Sequence, residues 1–208
     1  MAYLNENDIE KLDHIYKINL INSCSGYKSA NLIGTKSNDG IENVAVFSSV
    51  THLGSSPAML GFFLRPTTVI RNTYQNIKAT KYFTINHIHK SILQDAHHTS
   101  AKYNASVSEF DATKLNPEYK SGFYAPFVKN APIQLAMQFV EEYNIKANNT
   151  IFVLGKITGI YLNDSLIEKD GFINLSKAKV ATINGLDGYA VPENKIRFGY
   201  QRPKDLKV

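Results

Sequence analysis

Residues 31–65 read NLIGTKSNDGIENVAVFSSVTHLGSSPAMLGFFLR, and this stretch decides the fold. Residues 31–36 (NLIGTK) are strand-like. The cluster Ser37-Asn38-Asp39-Gly40 contains Asp-Gly, the dipeptide that suits the positive φ angles of a tight hairpin turn. The chain then returns over 42–50. Val44, Val46 and Val50 fall on one face by period two, and Ala45, Phe47 and Ser49 on the other. Residues 52–57 (HLGSSP) read as a loop. Residues 59–64 (MLGFFL) form a continuous apolar strand that Arg65-Pro66 ends.

Working outward, Thr67-Thr68 can cap a helix running to about residue 79. Residues 82–88 (YFTINHI) are a further strand, and 92–103 read as helical. The polar stretch 104–130, broken by Asn116-Pro117 and Ala125-Pro126, is a long excursion of the kind that serves as a lid or an interface element. Two longer strands follow at 133–143 and 151–162, with Asn148-Asn149 in the turn between them. Upstream, Ile9, Leu12 and Tyr16 lie at helical spacing behind Asp8, which predicts one amphipathic helix over 8–17 and a turn at 26–29. The tail, 185–203, contains GLDGY and FGYQRP and reads as loops with a short terminal strand. Mostly antiparallel strands with a few flanking helices argue for an α+β barrel protein in a single domain, 1–208.

Composition narrows the function. The 43% apolar and 20% charged content suits a globular chain with a core. No run of about eighteen apolar residues occurs, so no membrane span is expected. The N-terminus is polar and acidic, unlike a secretory signal, and Cys24 is the lone cysteine, so a cytoplasmic location is expected. The net charge of +5 comes from lysines scattered along the chain, which argues against nucleic-acid binding. No dinucleotide glycine motif, phosphate-binding loop, serine elbow or CxxC is present. His87 and His89, two apart on a strand, would point to one face but lack a third ligand, so no metal is expected.

One constellation points to chemistry. A strand ends in Ser48-Ser49-Val50-Thr51, and the helix after Arg65-Pro66 presents Arg71, Asn72 and Thr73 in its first turns. Backbone amides at a helix start, with hydroxyls and an arginine fork beside them, make a phosphate site. Only four arginines exist, and Arg65 and Arg71 are two of them. The plainer alternative is that Ser48 and Ser49 are ordinary strand residues and Thr68 an ordinary cap.

In the order and spacing of these segments, residues 31–88 resemble the flavin reductase-like, FMN-binding split-barrel family. The stretch quoted above and RNTYQNIKATKYFTINHI carry the likeness, which continues through AHHTSAKY and SEFD and reappears in GLDGY. It implies a six-stranded Greek-key split β-barrel that pairs as a homodimer, with FMN near the subunit boundary and NAD(P)H as reductant. Asn43 and the segment Phe47, Ser48, Ser49, Val50 and Thr51 would line the ring and ribityl chain. The amides of Ser48, Ser49 and Val50 would bond the ring's polar edge. Arg71, Asn72 and Thr73 would take the phosphate, and His97, Thr99 and Ser100 would approach the ring or the nicotinamide. No catalytic side chain is implied, because hydride transfer to flavin needs chiefly orientation and polarity from the protein. The same features suit a second function, an FMN-binding redox carrier or sensor without turnover.

Overall fold

The computed structural model describes residues 1–69, 71–104, 106–200 and 202–203. Ile70, Ala105 and Gln201, which fall in the expected 68–79 helix, the 104–130 excursion and the tail, lie outside the described residues.

The N-terminal helix is two helices, α1 (Glu6–Glu10) and α2 (His14–Ser23). Asn5 and Asp8 close a capping box on α1, so Asp8 is not its cap. Asp13 then starts α2 by accepting from the amides of Ile15 and Tyr16. Two short acidic or amide caps eight residues apart divide what periodicity alone joins.

β1 (Lys28–Ser29) replaces the expected turn. β2 (Asn31–Lys36) and β3 (Glu42–Phe47) form the hairpin predicted around Asp39-Gly40. β3 ends three residues earlier than expected. The segment read as a loop is a strand, β4 (Thr51–Ser55), paired to β5 (Ala58–Leu64). α3 (Asn72–Thr80) begins after Arg71, whose backbone is still extended; Thr67 and Thr68 lie in an exposed turn and cap nothing. The helix starts where Thr73, Asn76 and Ile77 can bury one face.

β6 (Tyr82–His87) follows, then α4 (Leu93–His98), which stops well short of residue 103. The 104–130 excursion carries α5 (Glu109–Ala112) and a two-stranded ribbon of β7 (Pro117–Glu118) and β8 (Phe127–Val128). The long strands are β9 (Ile133–Ile145) and β10 (Thr150–Leu162). In the tail, β11 (Thr182–Asn184) and β12 (Gly188–Ala190) form a hairpin that pairs with β1.

The main sheet runs β3-β2-β6-β9-β10-β5-β4, and every pairing is antiparallel. It contains the six expected strands plus the short β4. The sheet does not close, so the fold is a split barrel with β3 and β4 as its two edges. Ile33, Phe62, Phe83, Ile85, Met137 and Val153 fill the interior. A second cluster on the outer face of β2 joins Leu32 and Val44 to Ala96, Phe110, Val128 and Ala181. β2 is thus covered on both faces, which explains why NLIGT shows no polar alternation.

The excursion lies directly on β2. Thr84 donates to the carbonyl of Pro126 at 2.6 Å, and a Cβ at Gly34 would collide with that same carbonyl and with the Thr84 hydroxyl. Backbone cannot yield there as a side-chain tip would. Gly34→Ala should therefore destabilise the fold by about 1–3 kcal/mol, read as a lower urea midpoint at unchanged slope.

Candidate functional site

β3 and β4 are consecutive in sequence yet occupy opposite edges of the sheet, so residues 48–50 alone cross the split. The crossing is stapled. The Ser49 hydroxyl donates to the Phe63 carbonyl and accepts from the Phe63 amide, both at 3.0 Å. The Ser29 hydroxyl donates to the Val50 carbonyl at 3.0 Å. Among the described residues, nothing accepts from the backbone amides of Ser48, Ser49 or Val50. Phe47, just before the crossing, meets Phe62 edge-on at 5.1 Å and anchors the loop to the core. Val50 packs on the same core, while Thr51 is exposed at the start of β4.

The start of α3 lies beside β3. The buried Asn43 side chain donates to the Thr73 hydroxyl at 3.0 Å, which joins two of the expected residues. Arg71 caps the helix without a side-chain bond, and its Nε is buried with no partner among the described residues. Asn72 is half-buried next to it. A buried guanidinium nitrogen and a helix start that both lack acceptors suit a bound anion.

The α4 residues are less uniform. α4 packs on the β3 side of the sheet through Ala96, in one cluster with Val44 and Val46. His97 Nδ1 lies 3.1 Å from the Tyr189 hydroxyl, and the two rings meet edge-on. Ser100 is exposed. Thr99 is buried and its hydroxyl donates back to the Ala96 carbonyl at 2.7 Å, so it turns no hydroxyl outward. Ser29 and Tyr189 were not among the expected residues. Ser29 has no local signal, because its partner is 21 positions away. Tyr189 lies in GLDGY, so the resemblance did contain it.

The histidine pair does not form a ligand set. β6 ends at His87, and His89 instead caps a short 3-10 turn, its Nδ1 2.7 Å from the Ser91 hydroxyl. Among the described residues no three His, Cys, Asp or Glu side chains cluster as a metal site would require.

Residues 26–176 match the family described as flavin reductase like domain. The chain belongs to the flavin reductase-like family. A solved structure from Shewanella frigidimarina, assigned as a flavin reductase with a split barrel domain, is 41% identical. It superposes with a TM-score of 0.93 over 97% of this chain and 100% of that one. The nitrilotriacetate monooxygenase component B of Bacillus cereus shares the fold at 17% identity, with a TM-score of 0.82 over 95% and 98% of the two chains. An FMN-binding protein from Thermus thermophilus, solved with 1-cyclohex-2-enone, shares it at 14% identity, with a TM-score of 0.70 over 84% and 92%. No helix among the described residues is long and apolar enough to cross a membrane.

Beside the crossing of this flavin reductase-like chain lies a cavity of about 200 Å³, walled by Ser29, His87, Val180, Thr182 and Pro192. Burial pushes the His87 pKa down to about 4, because the enclosed ring is hard to charge. The unfolded chain, with an ordinary histidine, binds this proton more readily. His87 therefore leaves stability intact above about pH 6.5 and removes it as the pH falls toward 4. Urea midpoints at pH 7.5 and 4.5 should differ more for the wild type than for His87→Gln.

Proposed function

We propose that the chain is an FMN-binding flavoprotein that reduces flavin with NAD(P)H as hydride donor. The observation that carries this is the buried, unpartnered Nε of Arg71 at the start of α3. A charged donor without an acceptor is costly to bury, and the phosphate of FMN would satisfy it. Arg71, Asn72 and Thr73 hold the phosphate in this proposal. The unclaimed amides of Ser48, Ser49 and Val50 bond the acceptor-rich edge of the ring, and Asn43, Phe47 and Thr51 line the space between. His97 and Ser100 border the ring from α4. Bound flavin supplies the hydride-accepting nitrogen, while the chain binds, orients and shields.

Membership of the family and the likeness to the Shewanella structure support an oxidoreductase role. The Thermus relative is described as an FMN-binding protein, which keeps a carrier or sensor role as the second function. Anaerobic addition of NADH or NADPH separates the two: a reductase loses its yellow absorbance through many turnovers with free flavin, whereas a carrier does not. We further propose a homodimer in the cytoplasm. Phe63, 44% exposed, stacks on Phe152 at 4.5 Å and presents an aromatic face on the outer side of β5 and β10. Light scattering at micromolar protein with FMN present should give twice the chain mass, and a monomer mass would count against pairing.

Arg71→Ala should weaken FMN binding by about 2–4 kcal/mol, roughly 30- to 1000-fold. Riboflavin, which has no phosphate, should bind the variant as it binds the wild type. Lysine at this position should rescue only in part, since it keeps the charge and loses the fork. A loss below about threefold would fit a mere surface ion pair and would remove the phosphate site from α3.

A further inference from the structure

The N-terminal arm, α1 and α2, is largely left uncovered by the rest of the chain. It precedes the residues that match the family, which begin at 26. Neither helix has a buried residue. Ile15, Tyr16, Ile18, Leu20 and Ile21 make half of α2 apolar, and they surround it. Ile15, Ile18 and Ile21 follow one another at spacing three, while Tyr16 and Leu20 lie on another side at spacing four. Ile15 is 61% exposed, Tyr16 58% and Ile21 47%. Among the described residues, the hydrogen bonds of α2 to other elements are local. Lys17 Nζ donates to the Glu10 carbonyl at 2.7 Å, and Lys28 Nζ donates to the Asn22 carbonyl at 3.0 Å. A ten-residue helix is too short to hold in water by itself, because helices draw most of their stability from packing an apolar face. One with apolar residues all round is normally buried. The arm has the composition of a packed helix without the packing.

The main sheet has the matching deficiency. The cluster that covers the outer face of β2 takes in nothing from β5, β9 or β10. On those three strands Phe63, Phe152 and Tyr143 stand opposite one another in register, so they share one face. Phe63 and Tyr143 are exposed and Phe152 is half-buried. We propose that α2 of one copy lies across this aromatic ladder on a second copy, in a symmetric exchange of arms. Helix on sheet is a stable two-layer packing, and the exchange covers both uncovered surfaces with one contact. Size decides for a second copy over a different protein. Half-exposed large side chains lose roughly 100 Å² each when covered, so three from the arm and three from the ladder bury about 600 Å². One contact of that size is no larger than an incidental contact between molecules in a crystal. Two-fold symmetry repeats it and brings the total to about 1,200 Å², where stable pairs begin. The proposal rests on the homodimer described above, for which it supplies the joining element, and it does not depend on the flavin.

Sedimentation equilibrium and hydrogen exchange of the full chain test it. Ile15→Glu combined with Ile21→Glu places good helix formers at positions exposed in the single chain, so this arm variant should fold as the wild type does. It should raise the dimer dissociation constant about 100-fold. Tyr143→Lys, on the ladder, should raise it at least about tenfold. Arm and ladder substitutions together should cost clearly less than the product of their separate effects, because both remove one contact. The amides of α2 should be protected in the wild-type pair and exchange freely in Tyr143→Lys at a concentration where that variant is monomeric. A change below about threefold in the arm variant, the size expected of an ordinary surface substitution, would overturn the proposal. So would α2 amides that exchange freely in the wild-type pair, or arm and ladder effects that simply multiply, which would place the arm elsewhere. A monomeric wild type would overturn the homodimer together with the arm, a result distinct from a dimer that ignores the arm.

Discussion

Three residues carry the geometry on which everything else depends. β3 and β4 lie at opposite edges of a seven-stranded sheet, yet only Ser48, Ser49 and Val50 join them. A link that short can join two edges only if the sheet curls until they approach, so the connection itself enforces the barrel. It also keeps the barrel from closing by strand pairing. The crossing residues lie in the gap, and among the described residues nothing accepts from their amides. Backbone donors in such a place normally find a partner. The split is therefore both the fold's defining feature and its natural place for an acceptor-rich ligand.

The crossing holds its shape through contacts that are distant in sequence. Ser49 takes both polar groups of Phe63, so β5 dictates where the loop runs. Ser29, at the end of β1, fixes Val50, and β1 is in turn held by the β11–β12 hairpin. The opposite edge is protected differently. Glu109 of α5 accepts from the Val44 amide at 3.0 Å, which covers part of the exposed ladder of β3. Burial raises the pKa of that carboxyl above the usual range. The 104–130 excursion is thus a cover for one edge and for β2. It is neither a lid over the crossing nor a featureless loop.

This division explains what could be read from the sequence. The β2–β3 hairpin, β5, β6, β9 and β10 were legible because alternation, apolar runs and Asp39-Gly40 are local signals. β4 was not. Its five residues are mostly exposed and include a glycine, and it is a strand only because β5 supplies a partner. β1 and β8 are two residues long and equally depend on remote partners. The start of α3 was misplaced because Thr67-Thr68 has the chemistry of a cap, whereas the true start is set by which residues reach the core. On the site, Asn43 and Thr73 were named separately, and the structure brings them into a direct bond. Thr99 was expected to approach the ring or the nicotinamide, but its hydroxyl folds back on its own helix, a local bond that the resemblance does not carry.

Arg71 differs from the other buried polar side chains that lack partners among the described residues. Four such atoms belong to Asn31, Glu142 and Asn184. Asn31 and Asn184 are uncharged, and leaving a neutral amide unpaired costs less than leaving a charge. Glu142 is charged, but its second oxygen takes the Tyr74 hydroxyl at 3.0 Å and the Lys78 ammonium at 3.1 Å, so its charge is compensated. Among the described residues no carboxylate lies within ion-pair reach of Arg71, and it stands at a helix start whose own amides want an anion. Local chemistry that a sequence would otherwise avoid tends to persist where a ligand completes it. Among the described residues, donors without acceptors occur both at the crossing and at the start of α3, with Asn43 on β3 between them. One extended ligand with a polar ring edge at one end and a phosphate at the other would satisfy both sets, which neither a free phosphate nor an uncharged ring could do alone.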